Sequence, residues 1–109
     1  MTLNNQRIAI AKICGWSKFD YLDWYQERIL QGRDPQGYSS QDVPDYLGDL
    51  NAMREAELCL TEPQRTTYIQ KLIMIAQRDK PPFFHAVIAS ATQRAEAFLK
   101  TFDKWEDAQ

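Results

Sequence analysis

The sequence predicts an α+β fold: a small α-β-α sandwich in which helices pack on a short antiparallel sheet, in the order helix-strand-helix-helix-strand-helix. Helical periodicity with capping signals marks four segments, and two segments rich in aromatic and β-forming residues separate them. The length of 109 residues is typical of one domain, 1–109, and suffices to bury a core without disulfides.

The first helix is predicted at residues 3–14, where apolar residues recur on one face. Thr2 or Asn4 is a suitable N-cap, because a side-chain oxygen there can accept from a backbone N–H of the first turn. Gly15 suits the position after the helix, where a positive φ is common.

Residues 16–31 fit two structures. Phe19, Leu22 and Ile29 have a spacing that suits a helix, whereas the density of aromatic residues is typical of a half-buried strand. The strand is preferred because of the family resemblance described below. Residues 32–45 are predicted to be a loop, since glycine, proline, serine and aspartate supply turn chemistry in quick succession.

A second helix is predicted at residues 49–60, with Gly48 as N-cap and the Asp49 carboxylate close to the positive helix end. A third helix begins at about residue 62, because Thr61 and Gln64 form a capping box. Its apolar stripe consists of Tyr68, Ile69, Leu72, Ile73 and Ala76.

The double proline at residues 81–82 ends the third helix. The apolar run at residues 83–88 is predicted to be a buried strand. Ser90 and Gln93 then form a second capping box, which begins the last helix. The apolar residues of that helix recur at helical spacing: Ala91, Ala95, Phe98, Phe102 and Trp105.

The charge is low and evenly spread. The formal net charge is −2, with five basic and six acidic residues in 1–47 and eight basic and nine acidic residues in 48–109. General nucleic-acid binding needs a field of Lys and Arg, and a DNA mimic needs a far more acidic surface, so both classes are disfavoured. We expect no signal peptide, no membrane segment and a cytoplasmic location, the host cytoplasm if the protein is phage-encoded.

The sequence offers few candidate residues for nucleophilic catalysis or for a zinc site. His85 is the only histidine and lies in an apolar run, where a hydrogen-bonded structural side chain is expected. Cys14 and Cys59 lie in apolar helical patterns and are predicted to be buried thiols. These three residues lack zinc-ligand spacing. No catalytic residue, metal or cofactor is predicted, and the chain is not predicted to be an enzyme.

The carboxylates also favour structural roles. Asp42, Asp45 and Asp49 surround a junction between loop and helix, where capping and solvation explain them better than a Mg²⁺ or Ca²⁺ site. Glu55 and Glu57 are two residues apart on a helix and so face different directions, which does not suit a general acid/base pair.

The aromatic cluster at residues 16–25 has two interpretations. Strands favour aromatic residues, so the cluster suits a sheet core. Aromatic residues interleaved with arginine also suit protein hot spots and the stacking of nucleobases. In the second interpretation the segment 32–44 closes over the ligand. The predicted binding face consists of Trp16, Tyr21, Trp24, Tyr25, Arg28, Arg33 and Tyr38.

Residues 49–57 read DLNAMREAE and resemble the DLNAMHEAE-type motif of the phage ABA sandwich domain family, small proteins of phages and prophages. Further similarity lies at residues 14–16, 44–47, 93–99 and 105–106. The chain departs from the family at residues 17–43, and Arg54 stands where histidine is common. The resemblance implies an α-β-α layered fold and carries over no catalytic residue.

Two hypotheses follow for the function. The first is a small phage-derived accessory protein that antagonises a host defence system by binding a host or phage protein. The second is a nucleotide-binding sponge that sequesters a defence signalling molecule, for which a homo-oligomer would help to enclose the ligand. Small size, the absence of a catalytic set and the aromatic middle of the chain favour the first.

Overall fold

The structure is a computed structural model that describes residues 2–37, 39–79 and 89–106. Its elements are, in chain order, α1 (Leu3–Ile13), β1 (Ser17–Trp24), β2 (Glu27–Arg33), β3 (Ser40–Asp42), α2 (Leu50–Glu57), α3 (Glu62–Asp79) and α4 (Ala91–Thr101). Within these ranges the chain has four helices and one antiparallel sheet of three strands. The α+β class is therefore confirmed.

The predicted order of helices and strands is wrong. The strand expected within residues 16–31 exists, but as two strands joined by a two-residue turn. The segment 32–45, predicted to be a loop, contains the short edge strand β3, which pairs with β2. The sheet is thus formed by consecutive strands, in the order β1-β2-β3. The strand predicted at 83–88 lies outside the described residues, so the layered sandwich stays a prediction.

One face of the sheet meets the core at the base of the hairpin. Tyr21 lies opposite Leu30, and residues directly opposite each other share a face. Leu30 is buried in the core, and the partly buried Phe19 side chain packs against the core. Gly32 is needed here, because a Cβ atom at this position would stand 2.9 Å from the Phe19 ring.

The helix ends largely follow the predicted capping. Thr2 Oγ1 accepts from the Asn5 N–H at 3.1 Å, and Gly15 follows α1 with a φ of +98°. Asp49 rather than Gly48 is the N-cap of α2, because its carboxylate accepts from the Asn51 N–H at 2.9 Å. None of the helices in the described ranges is both long enough and apolar enough to span a membrane.

Both predicted capping boxes are present. At the start of α3, the Thr61 N–H donates to Gln64 Oε1 at 2.9 Å and the Gln64 N–H donates to Thr61 Oγ1 at 3.4 Å. At the start of α4, Ser90 and Gln93 make the equivalent pair at 3.0 and 3.2 Å. Each box satisfies two backbone donors that would otherwise lack a partner.

Helix α4 lies at the centre of the core. Helices α1, α2 and α3 all pack on it. The Phe98 side chain is fully buried and lies 6.4 Å from the Tyr68 ring and 5.3 Å from the Phe102 ring, between ring centroids. The predicted apolar stripe of α3 needs correction, because Ile69 and Ile73 are exposed whereas Ile75 is buried.

A charged cluster joins α3 to α4. The Glu96 carboxylate is buried and accepts from Arg78 Nη1 at 2.8 Å, and it forms an ion pair with Lys100 Nζ at 2.7 Å. Arg78 also pairs with Asp79, which accepts from Gln93 Nε2. Burial raises the pKa of Glu96, but the hydrogen bonds from Arg78 and Lys100 outweigh it, so the pKa lies below its usual value.

We expect the free energy of unfolding to fall in acid partly because of this cluster. The pKa of Glu96 is lowered, and the hydrogen bonds from Arg78 and then Gln93 lower the pKa of Asp79 to about 2. Groups with lowered pKa values stabilise the fold above their unfolded pKa, near 4, and lose that contribution as the pH falls below it. Glu96→Gln should therefore destabilise the protein at pH 7 by about 1–3 kcal/mol, and less at about pH 2.5.

Urea unfolding at both pH values measures this difference. Glu55→Gln, which changes an exposed carboxylate, is the control and should alter stability little at either pH. An equal loss for Glu96→Gln at both pH values would contradict the electrostatic explanation.

Candidate functional site

The distal part of the β1–β2 hairpin, residues 21–28, is here named the hairpin arm. All eight of its side chains are exposed, so the arm extends beyond the core. Trp24 is 58 % exposed and Tyr25 is 85 % exposed. The arm therefore presents large aromatic side chains to solvent on a short antiparallel ribbon.

The side chains of the arm stabilise one another. The Trp24 and Tyr25 rings meet edge to face at 5.0 Å between centroids. The Arg28 guanidinium lies 4.7 Å from the centroid of the Tyr21 ring, a cation–π contact. Arg28 also approaches Asp23 at 3.9 Å, which contributes little because both side chains are exposed. These contacts hold the aromatic rings in place without burying them.

The open edge of β1 is poorly suited to pairing with another strand. The Asp20 carboxylate accepts from the Tyr21 N–H at 2.8 Å. Asp20 and Asp23 also place negative charges along this edge, a feature that discourages strand addition. The side chains of the arm, rather than its backbone, are therefore the groups available for recognition.

The turn at the tip of the arm is strained. Tyr25 and Gln26 have φ angles of 48° and 68°, the left-handed region in which two-residue hairpin turns usually carry Asn and Gly. A bulky side chain there costs free energy, and such residues persist mainly at functional sites. The strained turn lies at the tip of the arm, where Tyr25 is 85 % exposed.

The double substitution Tyr25→Asn with Gln26→Gly should stabilise the protein by about 1 kcal/mol, because both new residues suit positive φ angles. The midpoint of urea unfolding measures this. Gln31→Gly is the control: it makes the same change inside β2, where glycine weakens a strand, so it should destabilise by about 1 kcal/mol. A loss of stability in the double variant would contradict the explanation that the turn is strained.

The structure brings together four residues of the predicted binding face. Tyr21, Trp24, Tyr25 and Arg28 all lie on the arm. For these aromatic residues the interpretation as sheet core is wrong, because the sheet extends past the body of the protein. A strand sequence alone does not show how far a hairpin reaches beyond the residues that cover it.

Two other predicted residues, Trp16 and Arg33, do not join this group. Trp16 lies at the base of the hairpin and packs against the core. Arg33 lies at the far end of β2, about 17 Å along the strand from Arg28 at roughly 3.3 Å per residue. Tyr38 lies outside the described residues.

The segment 32–44, predicted to close over a ligand, is anchored near the base of the hairpin. Asp34 accepts from the Gly37 N–H at 2.9 Å and from Gln41 Nε2 at 2.9 Å. The Arg7 guanidinium donates to the backbone carbonyls of Val43 and Pro44. The Asp34 bonds lie within the segment, and the Arg7 bonds attach its end to α1, away from the tip of the arm.

Cys14 lacks the features of a nucleophile. Burial, followed by a hydrogen bond with the Cys59 thiol, raises the pKa of Cys14 well above its usual value, so little thiolate forms at neutral pH. Cys59 itself is exposed, because it lies at the corner between α2 and α3, so the prediction of two buried thiols is wrong for it. His85 lies outside the described residues.

Local hydrogen bonds account for the three carboxylates that were predicted to cap or to be solvated. Asp45 accepts from the Gly48 N–H at 3.1 Å, and Asp49 caps α2. Asp42 binds the Gln31 side-chain amide at 3.1 Å. Across the residues that the structure describes, no group of three or more His, Cys, Asp or Glu side chains is placed to hold a metal ion.

A second surface, which the sequence analysis missed, lies where α2 turns into α3. The helix predicted over 49–60 ends at Glu57, and residues 58–60 form the corner. A cavity of about 630 Å³ opens beside it. Its lining, here named the corner groove, consists of Glu57, Leu58, Leu60, Arg65, Tyr68, Ile69, Leu72, Ile73 and Arg94.

One side of the corner groove is polar. Glu57 Oε2 accepts from Tyr68 Oη at 2.6 Å and from Arg94 Nη1 at 3.0 Å. Burial, then the hydrogen bond to Glu57, raises the pKa of Tyr68 above its usual value, so the phenol stays protonated. Arg94 Nε also donates to the Ala89 carbonyl at 3.1 Å. Glu57 is thus neutralised by partners from two other helices.

The width of the apolar stripe on α3 is the feature of the sequence that indicates this surface. Tyr68, Leu72 and Ala76 are buried, whereas Ile69 and Ile73 are 53 % and 40 % exposed. The apolar stripe of α3 is wider than the part that the core covers, so some apolar side chains stay exposed. An exposed apolar patch is typical of a binding surface. Leu58, which is 69 % exposed, extends the patch onto the corner.

No protein-family model matches this chain. No curated protein and no solved structure matches it either.

Proposed function

We propose that this protein works by binding a protein partner with its hairpin arm. The observation that carries the proposal is the exposure of Trp24 and Tyr25, at 58 % and 85 %, on the same arm as Tyr21 and Arg28. Trp, Tyr and Arg are the residue types enriched at the energetic centres of protein interfaces. Exposed rings of this size gain most from being covered by a partner.

The arm is preorganised for such contact. A two-residue turn, cross-strand pairing from Tyr21↔Leu30 to Trp24↔Glu27, and the contact between the Trp24 and Tyr25 rings restrict its conformations. A rigid element loses little conformational entropy on binding, so more of the contact energy appears as affinity.

The charge of the arm favours a protein over a nucleotide. Asp23 and Glu27 give two negative charges and Arg28 gives one positive charge, a net charge of −1 for residues 21–28. Arg28 already contacts Tyr21 and Asp23. A phosphate group at the arm would face two carboxylates, and perpendicular rings do not form a slot for a base.

The resemblance to small phage proteins supports the identity of the partner. We propose a host or phage protein in the host cytoplasm, and antagonism of a host defence system as the consequence of binding. In this proposal the protein acts by occupying its target and performs no catalysis.

A pull-down from bacterial lysate tests the proposal. The wild-type protein, the arm variant Trp24→Ala with Tyr25→Ala, and the control Met74→Ala are tagged and compared, with bound proteins identified by mass spectrometry. Met74 is 65 % exposed on α3 and does not line the groove, so its replacement leaves both surfaces intact.

A near-stoichiometric partner that the wild type and Met74→Ala retain and the arm variant loses supports the proposal. A partner that the arm variant retains overturns it. Recovery of the protein alone, with a large thermal stabilisation by a cyclic or ADP-ribose-type nucleotide, would replace it with the nucleotide-sponge hypothesis.

A further inference from the structure

We propose that the corner groove binds an amphiphilic carboxylate: a single unbranched hydrocarbon chain lies along the aliphatic wall, and its carboxylate pairs with Arg65. This site lies on the helices rather than on the hairpin arm, so the proposal does not depend on the function proposed above. The volume, lining and charge of the groove each support it.

The volume and lining favour a hydrocarbon chain. About 630 Å³ lies within the range of small-molecule sites, which runs from about 300 to 1,000 Å³. The apolar part of the wall consists of Leu58, Leu60, Ile69, Leu72 and Ile73. This wall is aliphatic, and the one ring in the lining, Tyr68, is turned into the core with only 4 % of its surface exposed. The groove therefore offers no face for stacking a flat aromatic ligand.

The direction of the groove follows the axis of α3. Arg65, Ile69 and Ile73 are spaced four residues apart, so they lie one above another on a single face of the helix. The distance from Arg65 to Ile73 along the axis is about 12 Å at roughly 1.5 Å per residue. An extended chain of about ten carbons has this length, since each of its roughly nine carbon–carbon bonds advances by about 1.3 Å.

The charge of the groove favours an anionic head. The Glu57 carboxylate is already bonded to Arg94 and Tyr68. Arg65 forms no ion pair with any residue in the described part of the chain and stands at the end of the aliphatic stripe. One negative and two positive side chains leave the groove with a net charge of +1. A carboxylate can accept two parallel hydrogen bonds from a guanidinium, whereas an ammonium head would be repelled.

The test titrates the full-length protein with hexanoate, octanoate and decanoate below their micelle concentrations. Methyl resonances of leucine and isoleucine side chains, followed by NMR, report both the site and the affinity. We expect shifts at Leu58, Ile69 and Ile73, and a Kd that falls about fourfold for each added methylene, the effect of burying one CH₂ group. Decyltrimethylammonium should bind more weakly than decanoate.

Variants of exposed groove residues distinguish the contribution of the ligand's hydrocarbon chain from that of its carboxylate head. Ile69→Gln should weaken decanoate at least tenfold, because it places an amide in the aliphatic wall. Arg65→Gln should weaken decanoate by about three- to fivefold, the scale of an exposed ion pair, and leave decanol binding unchanged. Met74→Gln, on the same helix but outside the groove, is the control and should bind as the wild type does. Unfolding midpoints confirm that the variants are folded.

A Kd that does not change with chain length overturns the proposal, as does equal affinity for the ammonium head. Shifts confined to the hairpin arm would also overturn it, because they would place the binding site elsewhere. None of these outcomes bears on partner binding by the arm, so the two proposals succeed or fail separately.

Discussion

Replacing Trp24 and Tyr25 together with alanine is expected to weaken binding of the protein partner by a factor of about 100 to 1,000. The two side chains supply the largest exposed apolar area of the arm, and hot-spot residues each contribute about 2 kcal/mol or more. The fold should be nearly unaffected, with a change in the free energy of unfolding within about 0.5 kcal/mol, because neither ring packs in the core. Calorimetric titration with the partner recovered in the pull-down measures the affinity.

Leu58→Ala is the matched control for this pair. It removes an apolar side chain of similar exposure from the corner groove, on a different surface, and should leave partner affinity unchanged. Unchanged affinity in the Trp24 and Tyr25 variant would place the interface elsewhere. A large loss of stability in that variant would show that the arm is part of the core rather than a binding element.

Phe98→Ala is expected to lower the free energy of unfolding by about 3–5 kcal/mol, the usual cost of truncating a buried phenylalanine. The ring is fully buried at the centre of α4, and it contacts the rings of Tyr68 and Phe102. Helices α1, α2 and α3 all pack on α4, so a cavity there is not easily filled by relaxation. The Tm should fall by about 12–40 °C, given roughly 4–8 °C per kcal/mol for a domain of this size.

Two further variants, measured by thermal and urea unfolding, are compared with Phe98→Ala to judge the size of its loss of stability. Phe98→Leu keeps most of the volume and should cost less than about 2 kcal/mol. Ile69→Ala truncates a side chain that is 53 % exposed, so it should cost well under half of the Phe98→Ala loss. Similar losses for Phe98→Ala and Ile69→Ala would contradict the central position of Phe98.

The sequence predicted the helix starts well because they depend on residues close together in the chain. Thr61 and Gln64 bond to each other across one helical turn, as do Ser90 and Gln93. Such contacts need no distant partner, so the pattern of residue types is sufficient to recognise them. The α+β class does not follow from these signals alone, because residues 16–31 also fit a helix and the strand was preferred on the basis of the family resemblance.

The turn between β1 and β2 was not predictable in this way. Tyr25 and Gln26 both have positive φ angles, although neither residue type favours that region. The pairing of Trp24 with Glu27 and of the residues beyond it forces this conformation. An aromatic run without a glycine or asparagine therefore appeared to be one continuous element. The hairpin, and the short strand β3 that pairs with β2, became evident only from the strand pairing.

The sequence by itself marked the four helices through apolar spacing and capping residues, and it showed that the aromatic residues cluster between the first two of them. The tertiary structure alone decided which of those residues are covered. Trp16 is packed against the core while Trp24 is exposed, and on α3 Leu72 is buried while Ile73 is 40 % exposed. Burial depends on elements that are distant in the chain, and residues of the same type and spacing differ only in what packs against them.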